Sequence, residues 1–224
     1  MPGRRSTRRT PAAVVLCLAL FGALGLAGCS SDSQYVSNKS DHTYFKVPVG
    51  WKLFGEQQVV DATPNLSAKQ RTQKLDSSWS TVFDADPKPS LGHWPLPSAR
   101  YPSGYAVVAS NSVGTADQLS DESMRNQFLS VDELSSSKQL EVLSYEQVNK
   151  GSGLHGIRIR ARVSSKADSS YYPQGATFTF EQISLTNQAR DKSYSLIVLC
   201  SATCFQRNSK KIEGVMNSWT VTDG

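Results

Sequence analysis

Histidine and cysteine are scarce in this chain, at three and four among 224 residues. His42, His93 and His155 stand apart from one another and from any cysteine or carboxylate pattern, so ligand spacing gives no metal site. The strained nucleophile turn G-x-S-x-G is missing, as are the phosphate-cradling G-x-x-x-x-G-K-[ST] and the zinc-binding H-E-x-x-H. With no catalytic, metal or cofactor motif, the chain reads as a non-enzyme. Long apolar runs are also few, and the longest stands near the start.

Residues 1–9, MPGRRSTRR, hold four arginines and no acid, and they precede seventeen apolar or small residues, 12–28, that stop at Cys29. A basic segment, an apolar segment and small residues before a cut are the three parts of an export signal. An uncleaved anchor helix is the alternative, but a span needs about 20 apolar residues and this run is shorter and rich in Gly and Ala at its end. Leu26-Ala27-Gly28-Cys29 resembles the lipobox of bacterial lipoproteins, in which the cysteine sulfur takes diacylglycerol and the signal before it is removed. The resemblance implies lipidation of Cys29 and a place on the extracytoplasmic face of the cell membrane, because two acyl chains make a stable anchor. It covers residues 1–29 alone.

Loss of residues 1–28 also removes most of the apparent basicity. Of 24 Lys and Arg against 19 Asp and Glu, four arginines leave with the signal, so the remainder carries 20 against 19. Bulk positive charge then offers no basis for nucleic-acid binding. Cys17 leaves too and Cys29 is the lipid site, which leaves Cys200 and Cys204 in CSATC. In an oxidising compartment an even pair reads first as a disulfide. A redox pair is the alternative, although it would prefer two intervening residues to three.

Residues 30–41, SSDSQYVSNKSD, are polar, serine-rich and aperiodic, and are expected to be a flexible tether. Residues 42–224 fit a single domain. Strands are predicted at 43–49, 78–83, 105–110, 140–148, 154–163, 178–185, 194–199 and 219–221, and helical segments at 114–134 and 204–217. Residues 52–77 are ambiguous. Residues 84–104 hold five prolines and are expected to form a long loop. Strand runs with helices near the start and end indicate α+β with a mainly antiparallel sheet packed with helices.

YFKVPVGWKL near the start of the domain, the run of antiparallel strands, and a terminal helix followed by SWTV resemble the PsbP-like fold. That fold is shared by the photosystem extrinsic protein, the Ran-binding Mog family and actinobacterial LpqN-type lipoproteins. The resemblance implies an α/β/α sandwich acting as an interaction module without chemistry. No binding residue carries over from it.

Two surfaces remain as candidates. Along 153–163, His155, Ile157, Ile159, Ala161 and Val163 share one face while Arg158, Arg160 and Arg162 share the other. The arginines are expected to pair with acids such as Glu141 or Glu181, the sharper alternative being an anion-recognition stripe. His155 is expected in the core. In the proline-rich loop, His93, Trp94, Arg100 and Tyr101 form the other candidate, since a stiffened loop presenting aromatics loses little entropy on binding. Trp94 folding back onto the domain is the opposing expectation. The functional expectation is a membrane-anchored binding or accessory module for an unknown envelope protein. The alternatives are a carrier of a lipid or other hydrophobic ligand and, more remotely, an enzyme acting on a wall polymer.

Overall fold

A computed structural model describes residues 32–96, 98–150, 153–164 and 175–222. The folded unit begins at Asp32, and the lipobox and the signal lie outside the described residues. The unit is built on a seven-stranded sheet whose order is β3-β4-β5-β9-β8-β7-β6, with all neighbours antiparallel. Its strands are β3 (Lys52–Phe54), β4 (Ser78–Asp84), β5 (Ser103–Ser110), β6 (Leu140–Lys150), β7 (Leu154–Ser164), β8 (Thr177–Thr186) and β9 (Lys192–Ser201). A small second sheet is made of β1 (Ser33–Asn38), β2 (Thr43–Pro48) and β10 (Thr220–Val221), with β2 in the middle. The expected α+β class, an antiparallel sheet packed with helices, is what the structure has.

Strand periodicity places two separate cores on the two faces of the large sheet. The first face meets the small sheet and the closing helices α6 (Ala202–Arg207) and α7 (Ser209–Asn217), and it buries Phe45, Trp51, Phe83, Leu196, Ile212 and Met216. Phe45 lies 5.9 Å from Phe83 and 5.4 Å from Trp219 between ring centroids, both tilted, and Trp51 stacks on Phe83 at 6.0 Å. Gly104 makes this possible. A Cβ there would stand 2.2 Å from the Phe83 ring and 2.6 Å from the Ile197 carbonyl oxygen, so only glycine lets Phe83 lie across β5.

The second face is covered in pieces, by α1 (Glu56–Ala62) and α2 (Ala68–Ser77) at one end and by α4 (Asp121–Arg125) and α5 (Val131–Ser136) at the other. The proline-rich loop lies between them. Its core holds Ile157, Ile159, Phe178, Phe180, Ile197 and Leu199.

Several expectations are corrected. The tether expected at 30–41 contains β1, because Val36 and Asn38 alternate inward against Tyr35 and Ser37 despite the serines. The single helical stretch at 114–134 is three short helices, α3 (Val113–Gln118), α4 and α5. The chain restarts at Ser120, whose hydroxyl accepts from the Ser123 amide at 3.1 Å. The closing helix likewise divides at Asn208, which ends α6 and opens α7, its side-chain amide donating to the Cys204 carbonyl at 2.9 Å. The ambiguous 52–77 stretch resolves into β3, α1 and α2, the last capped by Ser67 and Gln70 in reciprocal hydrogen bonds. The loop at 84–104 contains one turn of 3-10 helix at Leu91–His93 and gives way to β5 at Ser103. Cys200 and Cys204 form a disulfide that joins the end of β9 to α6.

Candidate functional site

In β7 the arginines point to the first face, toward α6 and α7, and both acids expected as partners receive them. Arg158 Nε donates to Glu181 Oε1 at 2.7 Å and Arg160 Nε to Glu181 Oε2 at 2.8 Å, while Arg162 pairs with Glu141 at 3.1 Å. Arg158 also donates to the Asn217 side-chain oxygen at 2.9 Å, and Arg160 lies over the Phe205 ring. Glu181 is buried, so two guanidiniums supply the hydrogen bonds that a carboxylate inside a sheet needs. The stripe is therefore a fastening between β7, β8 and α7. His155 is not a core residue as expected: it is half-buried at the hairpin end, with Nδ1 3.5 Å from the Gly153 carbonyl oxygen.

The glycine spacing G-x-G-x-x-G, expected to be absent from the chain, is present where β7 begins. GSGLHG at 151–156 matches G-x-G-x-x-G. A dinucleotide site needs that turn between a strand and a helix N-terminus. Here the flanking elements are the antiparallel strands β6 and β7, so the match has no phosphate-binding meaning.

The loop candidates do not form one cluster. His93 Nδ1 is 2.7 Å from Asp84 Oδ2, and Asp84, itself buried, also accepts from the Asp86 and Ser90 amides at 3.0 and 2.9 Å. His93 thus closes the turn that leaves β4. Arg100 is exposed and Tyr101 half-buried, and their amides donate to the Ser98 hydroxyl at 3.2 Å. The loop is tied to the end of β9 through Ser201, which donates from its amide to the Ser98 carbonyl and from its hydroxyl to the Ala99 carbonyl.

Trp94 goes elsewhere. Its ring stacks on Tyr105 of β5 at 5.5 Å between centroids and meets Phe128 edge-on at 6.4 Å, while Tyr105 and Phe128 are edge-on at 6.0 Å. These geometries are the favourable ones for aromatic quadrupoles. Beside this trio lies a cleft of about 340 Å3, floored by Tyr105, Ile197 and Leu199 and walled by Trp94, Phe128 and Leu129. On the other side of Trp94 is a second cavity of about 270 Å3, bounded by Val59, Pro64, Val82 and Leu91. Trp94 is the partition between them.

Among the described residues Gln127 brings an amide to the larger cleft, and its position is fixed from below. Its Oε1 accepts from the hydroxyls of Ser195 at 2.7 Å and Ser184 at 2.9 Å, both of them buried in the sheet. Gln182, fully buried in β8, donates to the Met124 carbonyl at 2.6 Å and to Ser184 at 3.0 Å. The roof segment between α4 and α5 is thereby pinned to the sheet at two points. A third fastening is lateral: Arg125 donates to both oxygens of Asp132 at 2.9 and 2.8 Å. Hydrogen bonds from Arg125 and Asn126 hold the Asp132 carboxyl below its ordinary 3.8. Burial pushes the Tyr105 phenol above its ordinary 10.0, against a hydrogen bond with Ser80, so the cleft floor is neutral at physiological pH.

Of the site residues, the sequence named Trp94 alone. Tyr105, Gln127, Phe128, Leu129, Ile197 and Leu199 come from three other segments that the sheet brings together. A signal was present in β8, where Glu181 and Gln182 interrupt an apolar run. Two adjacent polar residues in a strand buried on both faces must each find a partner.

No family model and no curated protein matches the sequence. Among solved structures the chain is similar to the cyanobacterial PsbP of Synechocystis sp. PCC 6803, at 14% identity and a TM-score of 0.47, covering 90% of this chain and 96% of that one. It is also similar to the Ran-binding protein Mog1p of Saccharomyces cerevisiae, at 11% identity and a TM-score of 0.44, covering 85% of this chain and 96% of that one. The likeness is one of layered α+β architecture.

Proposed function

We propose that this protein is a non-catalytic binding module, held by a lipidated Cys29 at the extracytoplasmic face of the cell membrane, that takes a small apolar ligand in the cleft beside Trp94. The observation that carries this reading is the cleft itself. It has apolar walls, an aromatic partition and one oriented amide, and its volume falls within the roughly 300–1,000 Å3 of small-molecule sites. The lipobox resemblance of Leu26-Ala27-Gly28-Cys29 supports the address. An envelope protein docking on the loop is the less favoured reading, because Trp94 spends its ring face on Tyr105 rather than offering it outward.

Native mass spectrometry of the protein purified from its own host tests the proposal. The expected result is a retained apolar adduct that disappears in Leu129→Trp, which fills the cleft from a half-buried position, while the melting temperature holds. Absence of any adduct, together with no change in Trp94 fluorescence on titration with fatty acids or an environment-sensitive apolar dye, would overturn it. Cys29→Ser tests the address separately, with release from membranes or failure of processing as the expected outcome.

A further inference from the structure

The correction at β1 changes how the domain stands relative to its anchor. With 30–41 as a tether the domain would float free, but β1 begins at Ser33 and Asp32 already belongs to the folded unit. Two residues, Ser30 and Ser31, separate Cys29 from Asp32, and the three Cα-to-Cα steps between them span at most about 11 Å. If Cys29 carries the lipid, as proposed above, the end of the domain around Asp32 lies against the headgroups.

That end has the chemistry of a membrane surface. A groove of about 620 Å3 runs between the small sheet and α7, and it is lined by Lys46, Lys210 and Lys211, with Asp32 the one acid among the described residues that line it. Glu213 is the single carboxylate of α7 and is exposed. Lys210 and Lys211 occupy the first turn of α7, which holds no acid, so they oppose the positive end of the helix dipole. An anion in the groove would be favoured by both the lysines and the dipole. Beside the lysines stand two apolar side chains exposed to an unusual degree, Tyr35 at 70% and Val49 at 62%. Lys46 Nζ lies 5.1 Å from the Tyr35 ring centroid, so cation and aromatic form one amphipathic unit. Tyrosine with lysine is the combination that settles at the headgroup layer of a bilayer.

We infer that the groove of Lys46, Lys210 and Lys211, with Tyr35 and Val49, docks the domain onto an anionic lipid surface. The inference rests on the lipid-anchor reading, and its occupant is the headgroup phosphate of the bilayer that holds the anchor. Docking would fix which way the domain faces, turning the tether from a leash into a link of two residues.

The test uses the full processed chain in vesicles of phosphatidylglycerol or of phosphatidylcholine, treated with an amine-acetylating reagent and read by peptide mass spectrometry. Lys39, in the turn at the far end of the β1–β2 hairpin, is the internal standard. In phosphatidylglycerol, Lys46, Lys210 and Lys211 are expected to react at least about tenfold more slowly than Lys39. This protection should be lost in phosphatidylcholine and at high salt. In Lys210→Glu/Lys211→Glu, where both positions are exposed, the protection of Lys46 should vanish with the fold unchanged. Equal reactivity of the groove lysines and Lys39 in phosphatidylglycerol, on protein whose Cys29 peptide carries the diacylglyceryl mass, overturns the docking surface alone. Absence of that mass overturns the anchor reading and the inference with it.

Discussion

The two faces of the seven-stranded sheet are covered in different ways. The first is filled by a continuous layer, in which the small sheet and α7 bring Phe45, Trp51, Trp219, Ile212 and Met216 against Phe83 and Leu196. The second is roofed by separate pieces, with helices of five and six residues and a loop, and between them lies the Trp94 cleft. Helices that short do not hold themselves together in water. Their order comes from side-chain fastenings such as Gln127 on Ser184 and Ser195, and Arg125 on Asp132. The contrast teaches a division of labour: one face supplies the stability that lets the other retain unfilled space.

The strongest way to break this comparison is Phe45→Ala. Phe45 is 1% exposed and touches two other rings, so its loss should cost about 4 kcal/mol in urea unfolding. A cost below about 1 kcal/mol would mean that the first face is not the stabilising one. Glu181→Gln comes next, at about 2–3 kcal/mol, because it leaves two guanidiniums facing a neutral amide in a buried position. The value lies at the low end of buried pairs since Arg158 and Arg160 are partly solvated.

Opening the disulfide with Cys200→Ser/Cys204→Ser should cost about 2 kcal/mol, as the loop it closes is short. Trp94→Ala sharpens the comparison from the other side. Its half-buried ring borders two cavities, so the stability loss should be only about 1–2 kcal/mol while apolar-ligand binding falls away. A stability loss equal to that of Phe45→Ala would contradict the division.

The smallest effect concerns pH and the roof alone. The Asp132 carboxyl is lowered in the fold, so its contribution is present above its ordinary 3.8 and is lost as pH falls through the depressed value. Hydrogen exchange of residues 124–134 should therefore accelerate in acid before the strands of the sheet do. Asp132→Asn should show the same fast exchange at neutral pH. Synchronous exchange of roof and strands would show that the roof has no independent looseness.

Much of the strand framework was legible, because alternation along 154–163 and the apolar runs at 178–185 and 194–199 carry period and turn chemistry within a few residues. The pairing of the arginines with Glu141 and Glu181 was legible for the same reason, since strand periodicity puts them on one face. β1 was not: its inward residues are Gln34, Val36 and Asn38, only one of which is apolar, and its order comes from pairing with β2. The breaks at Ser120 and Asn208 were missed because hydrophobic spacing continues through them while the caps interrupt the backbone. The cleft was illegible in principle. Its walls come from residues 94, 105, 127–129, 197 and 199, and only the strand order, with β5 beside β9, makes them neighbours.

The position of β1 has a mechanical consequence. It is an edge strand with one partner, and Ser33 opposite Pro48 is the first pair met from its start. A pull through the residues before Asp32 therefore loads the β1–β2 hydrogen bonds one after another rather than all at once. β2 stays clamped by β10 and α7 on its other side. Six residues unzip in this way and release about 20 Å of slack. In an optical trap, tension on the N-terminal segment should produce that low-force extension before the domain yields, and a single abrupt rupture would rule it out. An edge strand that peels pair by pair gives way to tension ahead of the seven-stranded sheet.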